Sequence, residues 1–75
     1  MRKFRMYVEC GVGEYSDMVG LFFEVDGVIY DEICEDNIDN ILIESSKMYN
    51  RNCEKFGFDS RNDRMEIDIK YVMGM

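Results

Sequence analysis

Adjacent carboxylates are the groups in this chain best suited to chemistry. Asp31-Glu32 and Glu35-Asp36 form two neighbouring pairs, and Asp59-Ser60-Arg61-Asn62-Asp63 carries acids at both ends. Paired carboxylates can share a proton in acid–base work or hold a hard cation. The Asp59–Asp63 stretch puts an arginine where a calcium ligand belongs and lacks the glycine and distal glutamate of a calcium loop. The two adjacent pairs fall at the end of one predicted element and the start of the next, where acids serve solvation and capping. Nucleophiles fare no better. The chain has no histidine, and Ser45-Ser46-Lys47 lies in a helical stretch where consecutive residues face different directions. Cys10, Cys34 and Cys53 form no C-x-x-C pair and offer no zinc pattern. Gly11-Val12-Gly13 lacks the third glycine and the lysine of a phosphate cradle, and its acidic surroundings repel phosphate. We therefore expect no catalytic residues, no metal ligands and no cofactor: the chain reads as non-enzymatic.

The charge is more informative. The 75 residues carry a net −7. Arg2, Lys3 and Arg5 open the chain, and residues 47–75 are close to neutral. Between them lie eleven acids and no base: Glu9, Glu14, Asp17, Glu24, Asp26, Asp31, Glu32, Glu35, Asp36, Asp39 and Glu44. Direct nucleic-acid binding runs against this distribution, because phosphate neutralisation needs a basic stripe. No apolar run approaches the roughly 20 residues that span a bilayer. An odd, wide set of three cysteines suits reduced thiols. A cytoplasmic protein with no membrane partner is expected.

The elements that must position these groups follow from hydrophobic period. At this length a single domain over residues 1–75 is expected. Residues 3–10 alternate, with Phe4, Met6, Val8 and Cys10 on one side and Lys3, Arg5, Tyr7 and Glu9 on the other. Residues 11–17 read as a loop. Val19, Leu21, Phe23 and Val25 define one face of a second strand, and Phe22 and Glu24 the other. Asp26-Gly27 then predicts a type I′ hairpin into Val28-Ile29-Tyr30. That turn sets Val25 opposite Val28, Glu24 opposite Ile29, Phe23 opposite Tyr30 and Phe22 opposite Asp31, with Tyr30 a core residue.

Residues 36–56 switch to a helical period through Ile38, Ile41, Leu42, Ser45, Tyr49, Cys53 and Phe56. Asp36 is the expected N-cap, and Gly57 with Phe58 the expected C-terminal motif. Met18 and Met48 are left as candidates for exposed contacts. Residues 64–73 alternate again, with Met65, Ile67, Ile69, Tyr71 and Met73 against Glu66, Asp68 and Lys70. Lys3 and Arg5 complement Glu66 and Asp68, so the first and last strands are expected to be neighbours. The fold class is α+β: a two-layer, four-stranded, mainly antiparallel sheet with one long helix on one face, in the order β-β-β-α-β.

Part of the acidic block belongs to the helix start. Together with the aromatics among them, the acids form an expected negative surface comprising Glu14, Tyr15, Asp17, Phe22, Glu24, Asp31, Glu32, Glu35, Asp36 and Asp39, of which the loop and hairpin members have no structural purpose. Such a surface fits the basic surface of another protein. In size, acidity and simplicity the chain is similar in kind to small inhibitor proteins of phages and mobile elements. That likeness, which rests on no motif, implies a nucleic-acid mimic occupying the groove of a restriction or CRISPR effector. The alternative is a self-associating regulatory domain, a homodimer through a sheet edge or an apolar patch around Phe22 and Tyr7.

Overall fold

The computed structural model describes residues 1–10 and 18–68, without the side chains of Cys10 and Ile38. The predicted loop with Glu14, Tyr15 and Asp17, and the last strand's predicted continuation from Ile69 to Met73, lie outside the described residues. Strands β1 (Lys3–Cys10), β2 (Val19–Val25) and β3 (Val28–Glu35) precede helix α1 (Ile38–Phe56), and β4 (Arg64–Asp68) follows it. The expected β-β-β-α-β order and α+β class are observed.

The sheet runs β3-β2-β1-β4, with β1–β2 and β2–β3 antiparallel and β1–β4 parallel. The mixture follows from chain direction. Two hairpin-type reversals leave β3 pointing the same way as β1, and α1 returns the chain so that β4 points that way too. The first and last strands are neighbours as expected, with Arg5 opposite Glu66 and Tyr7 opposite Asp68. Arg5 nevertheless pairs with Glu24 at 3.9 Å, and Glu66 with Arg64 at 3.1 Å.

Alternation in β1 and β2 decides the core. Phe4, Met6, Val19, Leu21, Phe23 and Val25 turn inward to meet Ile41 and Met48 of α1. Phe4 sits edge-on to Phe23, Phe56 and Phe58, the last at a centroid distance of 5.0 Å. Asp26 at φ 52° and Gly27 at φ 83° form the expected type I′ turn. Asp26 also fixes the start of β1: its carboxylate accepts the Lys3 N–H at 2.9 Å, and its own N–H donates to the Lys3 carbonyl at 2.8 Å.

The hairpin register departs from expectation after its first two pairs. Val25–Val28 and Glu24–Ile29 are as predicted, but Phe23 then faces Asp31 and Phe22 faces Glu32. Tyr30 is the extra residue of a β-bulge. An unbulged hairpin would set Glu32 beside Leu21 on the inner face and send Ile33 outward. The bulge reverses both, because a one-residue slip moves every later side chain to the opposite face. Asp31 therefore turns under the helix, where the regular register would have placed it on the open face. Tyr30 is 52% exposed rather than core, its ring tilted against Phe56 at 5.0 Å.

Helix α1 is capped by Asn37, not Asp36. Asn37 is extended, and its side-chain oxygen accepts the Asp39 N–H at 2.9 Å. The C-terminus matches expectation: Gly57 is left-handed at φ 62°, Gly57 N–H donates to Glu54 O, and Phe58 N–H donates to Cys53 O at 2.9 Å. The buried stripe is Ile41, Ser45, Met48 and Asn52, rotated from the expected one. Leu42 is 51% exposed, while Met48, expected to be free for outside contacts, is fully buried. The rotation follows Asp31: with a carboxylate beneath the helix, the polar Asn52 becomes the favourable residue to bury.

Arg2 closes the molecule. Its guanidinium donates to the Phe56 and Gly57 carbonyls at the end of α1 and pairs with Asp63 at 2.8 Å. A cation at a helix C-terminus satisfies orphan carbonyls and complements the macrodipole.

Candidate functional site

The sheet has two unlike faces, and the helix covers only one. On the open face of β1 and β2, Tyr7 stacks on Phe22 at 5.2 Å with the rings 24° apart, and the Arg5 guanidinium lies 4.2 Å from the Tyr7 ring centre. Glu24, which pairs with Arg5, lies beside the Tyr7 hydroxyl. Burial and the nearby acids push the Tyr7 phenol above its ordinary range. Gly20 makes the stack possible, since a Cβ there would come within 2.8 Å of the Phe22 ring. Phe22 and Glu24 thus sit together as expected, but Glu24 is largely committed to Arg5 and Tyr7. The pair forms a rigid, half-buried platform rather than a free charge.

Asp31 is committed more completely. Its Oδ2 accepts from Arg51 Nε and from Asn52 Nδ2, each at 2.7 Å. Burial pushes the Asp31 carboxyl upward, yet the hydrogen bonds from Arg51 and Asn52 and the Arg51 charge hold it below the usual aspartate range. The second Asn52 amide hydrogen goes to Met48 O at 2.9 Å, so the buried side chain has both donors satisfied. This Asp31–Arg51–Asn52 linkage ties β3 to α1.

Four acids of the expected surface remain. Glu32 is exposed on the open face of β3, Glu35 is half-buried at the strand's end, and Asp36 and Asp39 are exposed beside the helix cap. Among the described residues none of the four has a cation within ion-pair distance. β3 is an edge strand, pairing only with β2 among the described strands. At the other end of that edge, Val28, Ile29 and Tyr30 are each about half exposed. Ile29 was expected on the outer face with Glu24, whereas Val28 and Tyr30 were expected on the inner face with Val25 and Phe23. Ile29 faces outward with Glu24, and Tyr30 is the bulged residue, its ring against Phe56.

The remaining reactive groups are occupied or isolated. In the 59–63 loop, Asp59 accepts from Arg61 N–H and the Asn62 amide, while Asp63 accepts from Asp59 N–H and Arg2. Backbone and Arg2 hydrogen bonds hold the Asp63 carboxyl below its usual range. Cys34 is an exposed free thiol, whereas Cys53 is half-buried and burial pushes its thiol up. Among the described residues no group of three His, Cys, Asp or Glu is placed to hold a metal ion. A shallow cleft of about 260 Å³ beside α1 is lined by Met6, Ser45, Ser46, Tyr49, Asn50 and Ile67. Ser45 spends its hydroxyl on the Leu42 carbonyl at 2.8 Å, and among the described residues no carboxylate or amine lines the cleft. No described helix is long and apolar enough to cross a membrane.

The arrangement presents carboxylates and apolar side chains along one sheet edge. Neither a protein-family model, nor a curated protein, nor a solved structure matches this chain.

Proposed function

We propose that this chain is a non-catalytic protein-binding module that sets the β3 edge and its acidic end against a basic surface of another protein, an inhibitor of the nucleic-acid-mimic kind. The observation that carries the reading is the set of four carboxylates, Glu32, Glu35, Asp36 and Asp39, without a cation beside them among the described residues. Helix N-terminal charge offsets part of Asp36 and Asp39. Nothing comparable offsets Glu32 and Glu35. A basic groove that holds phosphates would gain the same ion contacts from these groups, and the half-exposed Val28, Ile29 and Tyr30 would supply apolar contact beside them. Binding would displace nucleic acid by competition for the same cations.

The β3 edge, without a second strand partner among the described residues, also favours the second reading, self-association into a homodimer. Its acids argue against this. Two carboxylates brought about 5 Å apart across such a dimer repel by roughly 0.8 kcal/mol even at the permittivity of water.

The experiment immobilises the wild-type chain and a Glu32→Lys/Glu35→Lys variant, captures proteins from a lysate of the source organism, and elutes with a salt gradient. The reading expects a nucleic-acid-binding protein that is released by salt, displaced by duplex DNA or RNA and absent from the variant. Equal capture by both forms would show that the acids are irrelevant. Sedimentation of the free chain as a stable dimer would favour self-association instead.

A further inference from the structure

Resting on that reading, we infer that β3 receives its partner as an added β-strand, and that the segment added is extended and carries lysine or arginine at alternate positions. From Asp31 to Glu35 the strand is regular, in unbroken register with Phe23 through Val19 of β2. Its other side has no strand partner among the described residues. This leaves a row of backbone donors and acceptors about 17 Å long, enough for a five-residue pairing. Edges are protected by lysine, proline, bulges or inward-pointing charge, or are cut short. This one has no lysine or proline, its bulge lies at Tyr30 before the regular stretch begins, and its inward charges, Asp31 and Glu35, are acids that deter an acidic strand and not a basic one.

Charge selects the occupant. Glu32 projects on the open face and Glu35 on the helix face, so acids flank the edge on both sides of the sheet. A second copy would bring its own Glu32 and Glu35 against them, and like charges facing across a ladder are unfavourable. A segment with bases at alternate positions places its cations on the open face, beside Glu32. Its intervening apolar residues meet Ile33 on the inner side. Main-chain hydrogen bonds supply affinity in this arrangement, and the acids supply selectivity.

The probe is a capped peptide of about eight residues alternating lysine and valine, long enough to cover the regular stretch. It is compared with a version N-methylated at two adjacent central nitrogens, which face opposite edges of a strand, and with a version carrying glutamate for lysine. Fluorescence anisotropy on the intact chain should show the lysine peptide binding about tenfold tighter than its methylated counterpart, with slowed amide exchange across Asp31–Glu35. Equal binding of the methylated peptide would overturn strand addition while leaving an acidic docking surface intact. No binding of either lysine peptide, or equal binding of the glutamate peptide, would overturn the charge reading and the inference with it. Slow exchange of the same amides in a peptide-free dimer would assign the edge to a second copy and also overturn the proposal.

Discussion

Replacing Asp31 with alanine should destabilise the fold by about 2–3 kcal/mol. The side chain takes hydrogen bonds from Arg51 and from the buried Asn52, both at 2.7 Å. Losing a charged acceptor for a buried amide costs about 1.5–3 kcal/mol. The Arg51 pair contributes no more than about 0.5–1 kcal/mol, because its guanidinium remains nearly half in water. A chain of this length has roughly 4–11 kcal/mol in total, so the variant forfeits a substantial share. Urea unfolding followed by circular dichroism at neutral pH should show the midpoint falling by about 1–2 M, for a slope near 1.5 kcal/mol per molar. Asp31→Asn keeps an acceptor for Asn52 and should lose only about half as much.

The sign of the pH dependence is also determined. Folding lowers the Asp31 carboxyl below its ordinary 3.8, so its stabilisation is complete above that value and disappears as pH falls through the lower folded value. Wild type should therefore lose stability in that acid window more steeply than Asp31→Asn. A cost below about 0.5 kcal/mol for Asp31→Ala, or identical acid limbs in the two proteins, would refute the assigned role.

Two further outcomes test the description. Asn37→Ala should lower stability by about 1 kcal/mol through loss of the helix cap, whereas Asp36→Ala should cost much less; chemical denaturation of the two variants ranks them. Cys34 should react with an aromatic disulfide reagent in the native state, while Cys53 should lag until the chain unfolds, because of these two Cys34 is the exposed one and burial raises the Cys53 thiol. Peptide mapping after a short labelling pulse distinguishes the two sites.

Where local chemistry decides structure, the chain was readable. Asp26-Gly27 needs positive φ at both positions, Gly57 supplies the left-handed helix end, and the alternation of β1 and β2 leaves no choice of inner face. The bulge at Tyr30 was not readable from turn geometry, although Glu32 and Ile33 would have occupied the wrong faces without it. That single extra residue explains the related misreadings: Asp31 turned inward, Tyr30 left half exposed, and the helix rotated to bury Met48 and Asn52. The acidic block was legible as charge. How its members divide between internal bonds and open surface depended on contacts across the fold, since Arg51 and Asn52 stand about twenty residues from the aspartate they hold.

The parallel pairing of β1 with β4 has a consequence for how the molecule forms. Each matched pair in that ladder, from Lys3 with Arg64 to Tyr7 with Asp68, joins residues 61 positions apart. A growing chain emerges with β1 first, and the β2–β3 hairpin can close onto it early through local contacts. One flank of β1 then stays bare until β4, 61 residues further along, has also been made. Late, non-local closure of this kind slows folding and leaves a hydrogen-bonding edge exposed in the meantime. Arg2, Lys3 and Arg5 stand at the head of that waiting strand, and their mutual repulsion would discourage two nascent chains from pairing there.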